Sequence, residues 1–172
     1  MLAYPDADAV LSLHVDRMIE RRPDLRPSLF RIVMRPGKER ASIEKMSDAT
    51  LEFPSTNYKR VNGRPYRFAW GASNGPLEDG GYASAIVKVD LQTGASMSFN
   101  DDVHIFGEPL FVSRPEGTEE DDGVLLSVGS SKDAESSILA VIDAKTMALL
   151  ASAEVARSIP LGFHGSFVRT GG

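Results

Sequence analysis

Histidine and carboxylate side chains are the groups in this sequence best suited to chemistry, and their surroundings differ sharply. There are three histidines and no cysteine in 172 residues, so thiolate metal sites, Cys nucleophiles and disulfides are excluded together. His164 stands in Ile159-Pro160-Leu161-Gly162-Phe163-His164-Gly165-Ser166-Phe167, between two glycines and flanked by Phe163 and Phe167. Glycine lets another chain or a ligand approach closely. An imidazole held among apolar groups at such a place suits metal binding. Taken alone, the nonapeptide reads more simply as a C-terminal strand with a packed aromatic ring. His14 has no second ligand four residues before or after it and reads as a surface or half-buried helical residue. His104 follows Asp101-Asp102 and reads as a loop or strand-edge residue; adventitious cation binding by that trio is the weaker reading. Glu52 and Glu108 each sit in an apolar segment, before Phe-Pro and Pro-Leu-Phe steps. A carboxylate buried there without a partner would be costly. Each glutamate by itself reads better as a strand end in water. No Ser-His-Asp arrangement or Gly-rich phosphate loop is present.

The rest of the composition bounds the partners. With 42% hydrophobic and 25% charged residues the chain has a globular rather than a disordered composition. The net charge of -5, with no basic block, argues against a nucleic-acid partner. No apolar run approaches the ~20 residues of a membrane span. The first residues show no basic region followed by an apolar stretch, and a cytoplasmic location is expected.

These side chains must be positioned by β structure. Asp8 is expected to cap a helix over about 9–20, and from Pro27 onward the pattern is β. Strands are expected over 28–34, 41–46, 66–70, 82–90, 95–99, 107–112, 124–128, 138–143 and 147–155. Loops are expected at 71–81 and at the acidic stretch 116–122, which reads as solvated. Tyr66, Phe68 and Trp70 read as core aromatics, with a substrate-tunnel lining as the lesser alternative. Two hairpins share a scheme: Asp90 with Thr93, and Asp143 with Thr146, 53 residues on. In both, the Asp and Thr side chains can satisfy turn backbone groups. That interval is near the size of a four-stranded propeller blade. The fold class expected is therefore all-β, with antiparallel propeller blades. Propellers have 4–8 blades of roughly 40–50 residues, and this chain holds about three, so a piece of a longer protein is expected.

The run Glu108-Pro109-Leu110-Phe111-Val112-Ser113-Arg114-Pro115, then Glu119 to Val128, Asp143-Ala144-Lys145-Thr146, Ala153-Glu154-Val155 and Ile159 to Gly165, resembles the C-terminal part of the carotenoid cleavage oxygenase family. Leu51-Glu52-Phe53-Pro54 with Asn57-Tyr58, and Tyr66 to Trp70, are similar to the family's pattern upstream. The ordered set covers about 51–169. The family includes carotenoid and apocarotenoid dioxygenases, stilbene-cleaving dioxygenases and the retinoid isomerase of the retinal pigment epithelium.

The resemblance implies that residues 1–172 are the C-terminal part of a seven-bladed propeller domain carrying one non-haem Fe(II). In the family four histidines hold the iron, and glutamates one shell out bind the outer nitrogens of three of them. His164 matches the last histidine ligand, and Glu52 and Glu108 match two of those glutamates. His14 and His104 do not fall in the family's ligand contexts. The resemblance implies O2-dependent cleavage of a conjugated C=C bond in a carotenoid or apocarotenoid to give carbonyl products. A stilbene-like substrate is the alternative within the family, and a non-catalytic truncated β module is the alternative outside it. Peripheral membrane contact, if any, is expected from the missing part. One histidine and two glutamates are not a complete site, so the 172 residues alone are not expected to bind iron tightly.

Overall fold

A computed structural model of the chain describes residues 2–3, 26–73, 84–160 and 162–168. The helix expected over 9–20, with Asp8 and His14, lies outside the described residues, as do most of the 71–81 loop and Tyr82. What is described is almost entirely antiparallel β, in three sheets. The first joins β1 (Leu2–Ala3), β2 (Ser28–Val33) and β3 (Ser42–Thr50) in that order. The second is a four-stranded meander of β4 (Glu52–Ser55), β5 (Phe68–Ser73), β6 (Ala85–Asp90) and β7 (Ser96–Phe99). One turn of helix, α1 (Tyr58–Val61), stands between β4 and β5 where only a loop is expected from sequence.

The third sheet runs outward from β10 (Gly123–Ser131) through β11 (Ser137–Asp143) to β12 (Leu149–Val155). The other edge of β10 is shared by two short strands, β8 (His104–Phe106) and β9 (Leu110–Ser113). The residue pattern predicts one strand over 107–112. Instead the ladder breaks at Gly107-Glu108-Pro109, because proline has no N–H to donate to it. Gly107 stays tied to β10 through its N–H to the Val128 carbonyl at 2.8 Å and its carbonyl to the Ser127 hydroxyl at 3.0 Å. Glu108 is therefore held on a fixed kink between two paired segments.

The middle sheet is buried on both faces, which explains the unbroken burial of Ile86 to Val89 in β6. Ala69, Val87, Val89 and Leu91 pack with Leu29 and Met46 of the first sheet. Trp70 and Ile86 pack the other way, with Phe106, Leu125, Ile138, Ala140 and Ile142 of the third. Trp70 is fully buried, stacks on Phe111 at 4.9 Å, and donates its indole N–H to the Ala144 carbonyl at 3.0 Å. It is core, not tunnel wall.

The two Asp/Thr hairpins are built alike. Asp90 accepts the Gln92 N–H at 3.0 Å and Asp143 the Lys145 N–H at 3.0 Å. The residue closing each turn has a left-handed backbone: Gly94 at φ 76° and Met147 at φ 60°. Glycine takes that conformation freely, whereas Met147 does so while its side chain is buried among the core residues of the third sheet.

The acidic loop departs most from expectation. Asp121 is buried, and its carboxylate lies 2.6 Å from Lys88 Nζ on β6. Glu120 accepts the Phe68 N–H at 2.7 Å and the Arg67 N–H at 2.9 Å, and its carbonyl accepts from the Asn57 amide at 3.0 Å. Arg60 on α1 donates to the Gly117 and Thr118 carbonyls. The loop between β9 and β10 is thus a clasp from the third sheet onto the second.

Acid should loosen this assembly. The Arg67 guanidinium beside Asp90, 2.7 Å away at its closest, holds that carboxyl far below the usual carboxylate range, despite partial burial that works the other way. For Asp143, burial pushes the carboxyl up, but the Thr146 N–H and hydroxyl and the Lys145 N–H outweigh it and hold it low. A carboxyl depressed in the folded state contributes stability above its unfolded value of about 4 and loses it as pH falls toward its folded value. The urea midpoint is expected to fall steadily from about pH 5 to about pH 2. Asp90→Asn should flatten that slope; a slope equal to wild type would show that Asp90 is not among the groups responsible.

Candidate functional site

Glu108 and His164 meet. They are 56 residues apart in sequence, yet Glu108 Oε1 lies 3.3 Å from His164 Nδ1, and Glu108 Oε2 accepts the Gly165 N–H at 2.9 Å. The kink that holds Glu108 comes from the β8–β9 break; His164 comes from the segment that crosses back after β12. A carboxylate only accepts, so the hydrogen on this bond belongs to Nδ1. In a neutral imidazole so held, Nε2 presents its lone pair away from Glu108, the arrangement that a metal ligand needs.

The segment carrying His164 is not the strand that the nonapeptide alone would favour. Residues 162–168 have no strand pairing among the described residues, and the His164 side chain is 76% exposed, against 20% for Glu108. Of the two glycines, Gly165 has a packing reason: an added Cβ would lie 3.3 Å from a Leu110 methyl. Gly162 has open space around it. The groove here is about 290 Å³, with Leu110, Leu126, Val128 and Phe163 among its walls. It is an apolar cleft that opens at the imidazole.

Glu52 sits at the start of β4, paired with Ala72 of β5. The geometry does not pair it with His164, whose Nδ1 is taken by Glu108. It does bring the next residue there: the Phe53 ring stands edge-on to His164 at 6.0 Å and to Phe163 at 6.1 Å. Phe53 is a site residue that sequence reasoning missed. Its signal is a backbone angle, φ 48°, which no residue pattern announces. His104 is elsewhere, on β8, with Nδ1 2.6 Å from Asp101 Oδ2. Asp101 also accepts the Val103 and His104 N–H groups, as a turn-forming aspartate does. The described residues hold no group of three or more His, Asp or Glu side chains placed for a metal ion.

The arrangement defines an antiparallel β protein that offers one oriented imidazole, backed by a carboxylate, at the end of an apolar cleft. Comparison with known proteins bears on the family and the fold. The family model described as retinal pigment epithelial membrane protein matches residues 3–169. The mitochondrial carotenoid-cleaving dioxygenase of Mustela putorius furo is 34% identical over 170 residues, covering 92% of this chain and 31% of that protein. A carotenoid cleavage oxygenase of Mycobacterium tuberculosis is 34% identical over 153 residues, covering 86% and 30%. Among solved structures, cobalt-substituted apocarotenoid oxygenase of Synechocystis superposes with a TM-score of 0.73 at 32% identity, over 84% of this chain and 31% of that one. The chain belongs to the retinal pigment epithelial membrane protein family, that of the carotenoid cleavage oxygenases. It spans about 30% of the length of the relatives it matches.

Proposed function

We propose that residues 1–172 are the C-terminal part of a seven-bladed β-propeller enzyme that cleaves a conjugated C=C bond of a carotenoid or apocarotenoid with O2, using one Fe(II). The observation that carries this reading is the Glu108–His164 pair. Glu108 orients the imidazole, and the imidazole keeps one nitrogen for the metal. Bound iron would supply O2 activation, with both oxygen atoms ending in the two carbonyl products. The residues of this chain do the rest: His164 supplies one ligand, Glu108 orients it, and Leu110, Leu126, Val128 and Phe163 keep an apolar cleft beside it. Glu52 belongs to the same reading as the orienting carboxylate of a histidine outside this chain. Support for the propeller comes from the packed antiparallel sheets, two of them meanders, and from the match to the apocarotenoid oxygenase structure. That structure holds cobalt, which supports a metal in this fold.

His164 is mostly exposed and has one carboxylate beside it, so further ligands must come from elsewhere. Purified as 172 residues, the chain is expected to hold far less than one iron and to leave apocarotenoids intact. Produced with the sequence encoded upstream, it is expected to hold one iron and give two carbonyl products under O2. Stoichiometric iron with O2-dependent cleavage by the short chain would refute the division of ligands. Absence of both from the long form would refute the function. Offering a stilbene in parallel identifies the substrate class.

A further inference from the structure

Phe53 has a backbone that its sequence context opposes. Bulky side chains rarely adopt positive φ, and a residue before proline is further biased toward extended angles. Phe53 precedes Pro54 and yet has φ 48°. Such conformations persist only where the surroundings over-determine them, and they cluster where geometry serves function. The surroundings here are explicit. Glu52 pairs with Ala72 and Ser55 with Trp70, so β4 advances three residues while β5 advances two. The extra residue is a bulge, a device that re-aims a side chain.

Both flanks of the bulge are pinned. On the near side Leu51 is fully buried and donates its N–H to the Pro27 carbonyl at 3.3 Å. Gly71 lies beneath, where an added Cβ would stand 2.4 Å from the Glu52 carbonyl oxygen and 2.5 Å from Leu51 Cγ. On the far side the Ser55 hydroxyl accepts the Phe111 N–H at 3.3 Å.

The re-aimed ring arrives at His164. Its plane is 86° from the imidazole and 71° from Phe163, both edge-on. That contact supplies what Glu108 cannot. One hydrogen bond at Nδ1 fixes a single atom of a mostly exposed ring, and the imidazole can still swing about it. A second contact from another direction fixes the plane.

We propose that Phe53 is a positioning residue for His164: the β4 bulge holds the phenyl ring against the imidazole so that Nδ1 stays on Glu108 and Nε2 stays available. This rests on the reading of His164 as a ligand, but its test does not need the metal. The 172-residue chain, labelled with ¹³C and ¹⁵N, reports the His164 tautomer and its ring contacts by NMR at a fixed alkaline pH. Wild type is expected to show Nδ1–H as the dominant tautomer and cross-peaks between the Phe53 and His164 rings. Phe53→Gly accepts the backbone angle without strain and removes the ring. It should lower the Nδ1–H to Nε2–H ratio about threefold, as loss of one edge-to-face contact would. Phe53→Asn, which also tolerates positive φ, should do the same should the glycine variant fold poorly. Phe53→Tyr keeps the ring and should restore the wild-type ratio. Unchanged His164 signals in Phe53→Gly and Phe53→Asn would overturn the proposal and leave the ligand reading intact. Iron retained by His164→Ala in the long form would overturn the ligand reading instead, and with it the positioning role.

Discussion

Replacing Asp121 by alanine is expected to destabilise the fold by about 3–5 kcal/mol, the cost of leaving a buried charge without its partner. Lys88 Nζ lies 2.6 Å from Asp121 Oδ2 and donates to the Lys145 carbonyl at 3.0 Å. It also sits over the Phe68 ring at 4.2 Å. The two side chains are only 6% and 8% exposed, so water cannot replace the lost carboxylate without opening the joint between the second and third sheets. Most surface ion pairs contribute little; this one differs because both charges are already out of water. Equilibrium urea unfolding checks it. Lys88→Met combined with Asp121→Leu should recover most of the loss, because removing both charges removes the desolvation cost as well. A single-variant loss below about 1 kcal/mol would mean that the joint admits solvent and that the clasp is not a buried tie.

If His164 is the iron ligand proposed above, then in a form extended upstream His164→Ala is expected to abolish iron binding, and Glu108→Gln to weaken it about 10–100-fold. The glutamine case is the sharper one because its volume is nearly unchanged. Glu108 accepts twice, from His164 Nδ1 and from the Gly165 N–H, one oxygen to each. An amide has one oxygen and one NH2, so it must turn a donor toward one of these two donors. Either the loop loses its anchor at Gly165 or the imidazole loses the acceptor that sets its tautomer. Metal content after dialysis against a graded chelator measures the change. Wild-type retention of iron by Glu108→Gln would remove Glu108 from the support of the site; retention by His164→Ala would remove His164 from the ligand set.

The β character of the chain, its hairpin turns and the family motifs were legible in the residues because their causes are local. Asp90 with Thr93 and Asp143 with Thr146 close turns through bonds to N–H groups two or three residues on. The strand expected over 107–112 is instead broken at Pro109, which has no N–H for the ladder. Glu108 and His164 were each recognisable as motif residues, although nothing in the sequence says that these two touch and that Glu52 does not join them. The acidic loop was misread because charge runs are solvated unless a partner comes from another element, and Lys88 lies 33 residues away from Asp121. Phe53 stands in a family motif, but its contact with His164 could not be found from sequence. Its neighbour Pro54 argues for an extended backbone, and only the pinned bulge, fixed by Leu51, Gly71 and Ser55 on three separate contacts, overrides that preference. Local chemistry thus determined which residues could serve the site. The packing of the second sheet against the third decided which of them meet there, because long-range contacts carry the energy to hold one residue in a conformation that its own sequence disfavours.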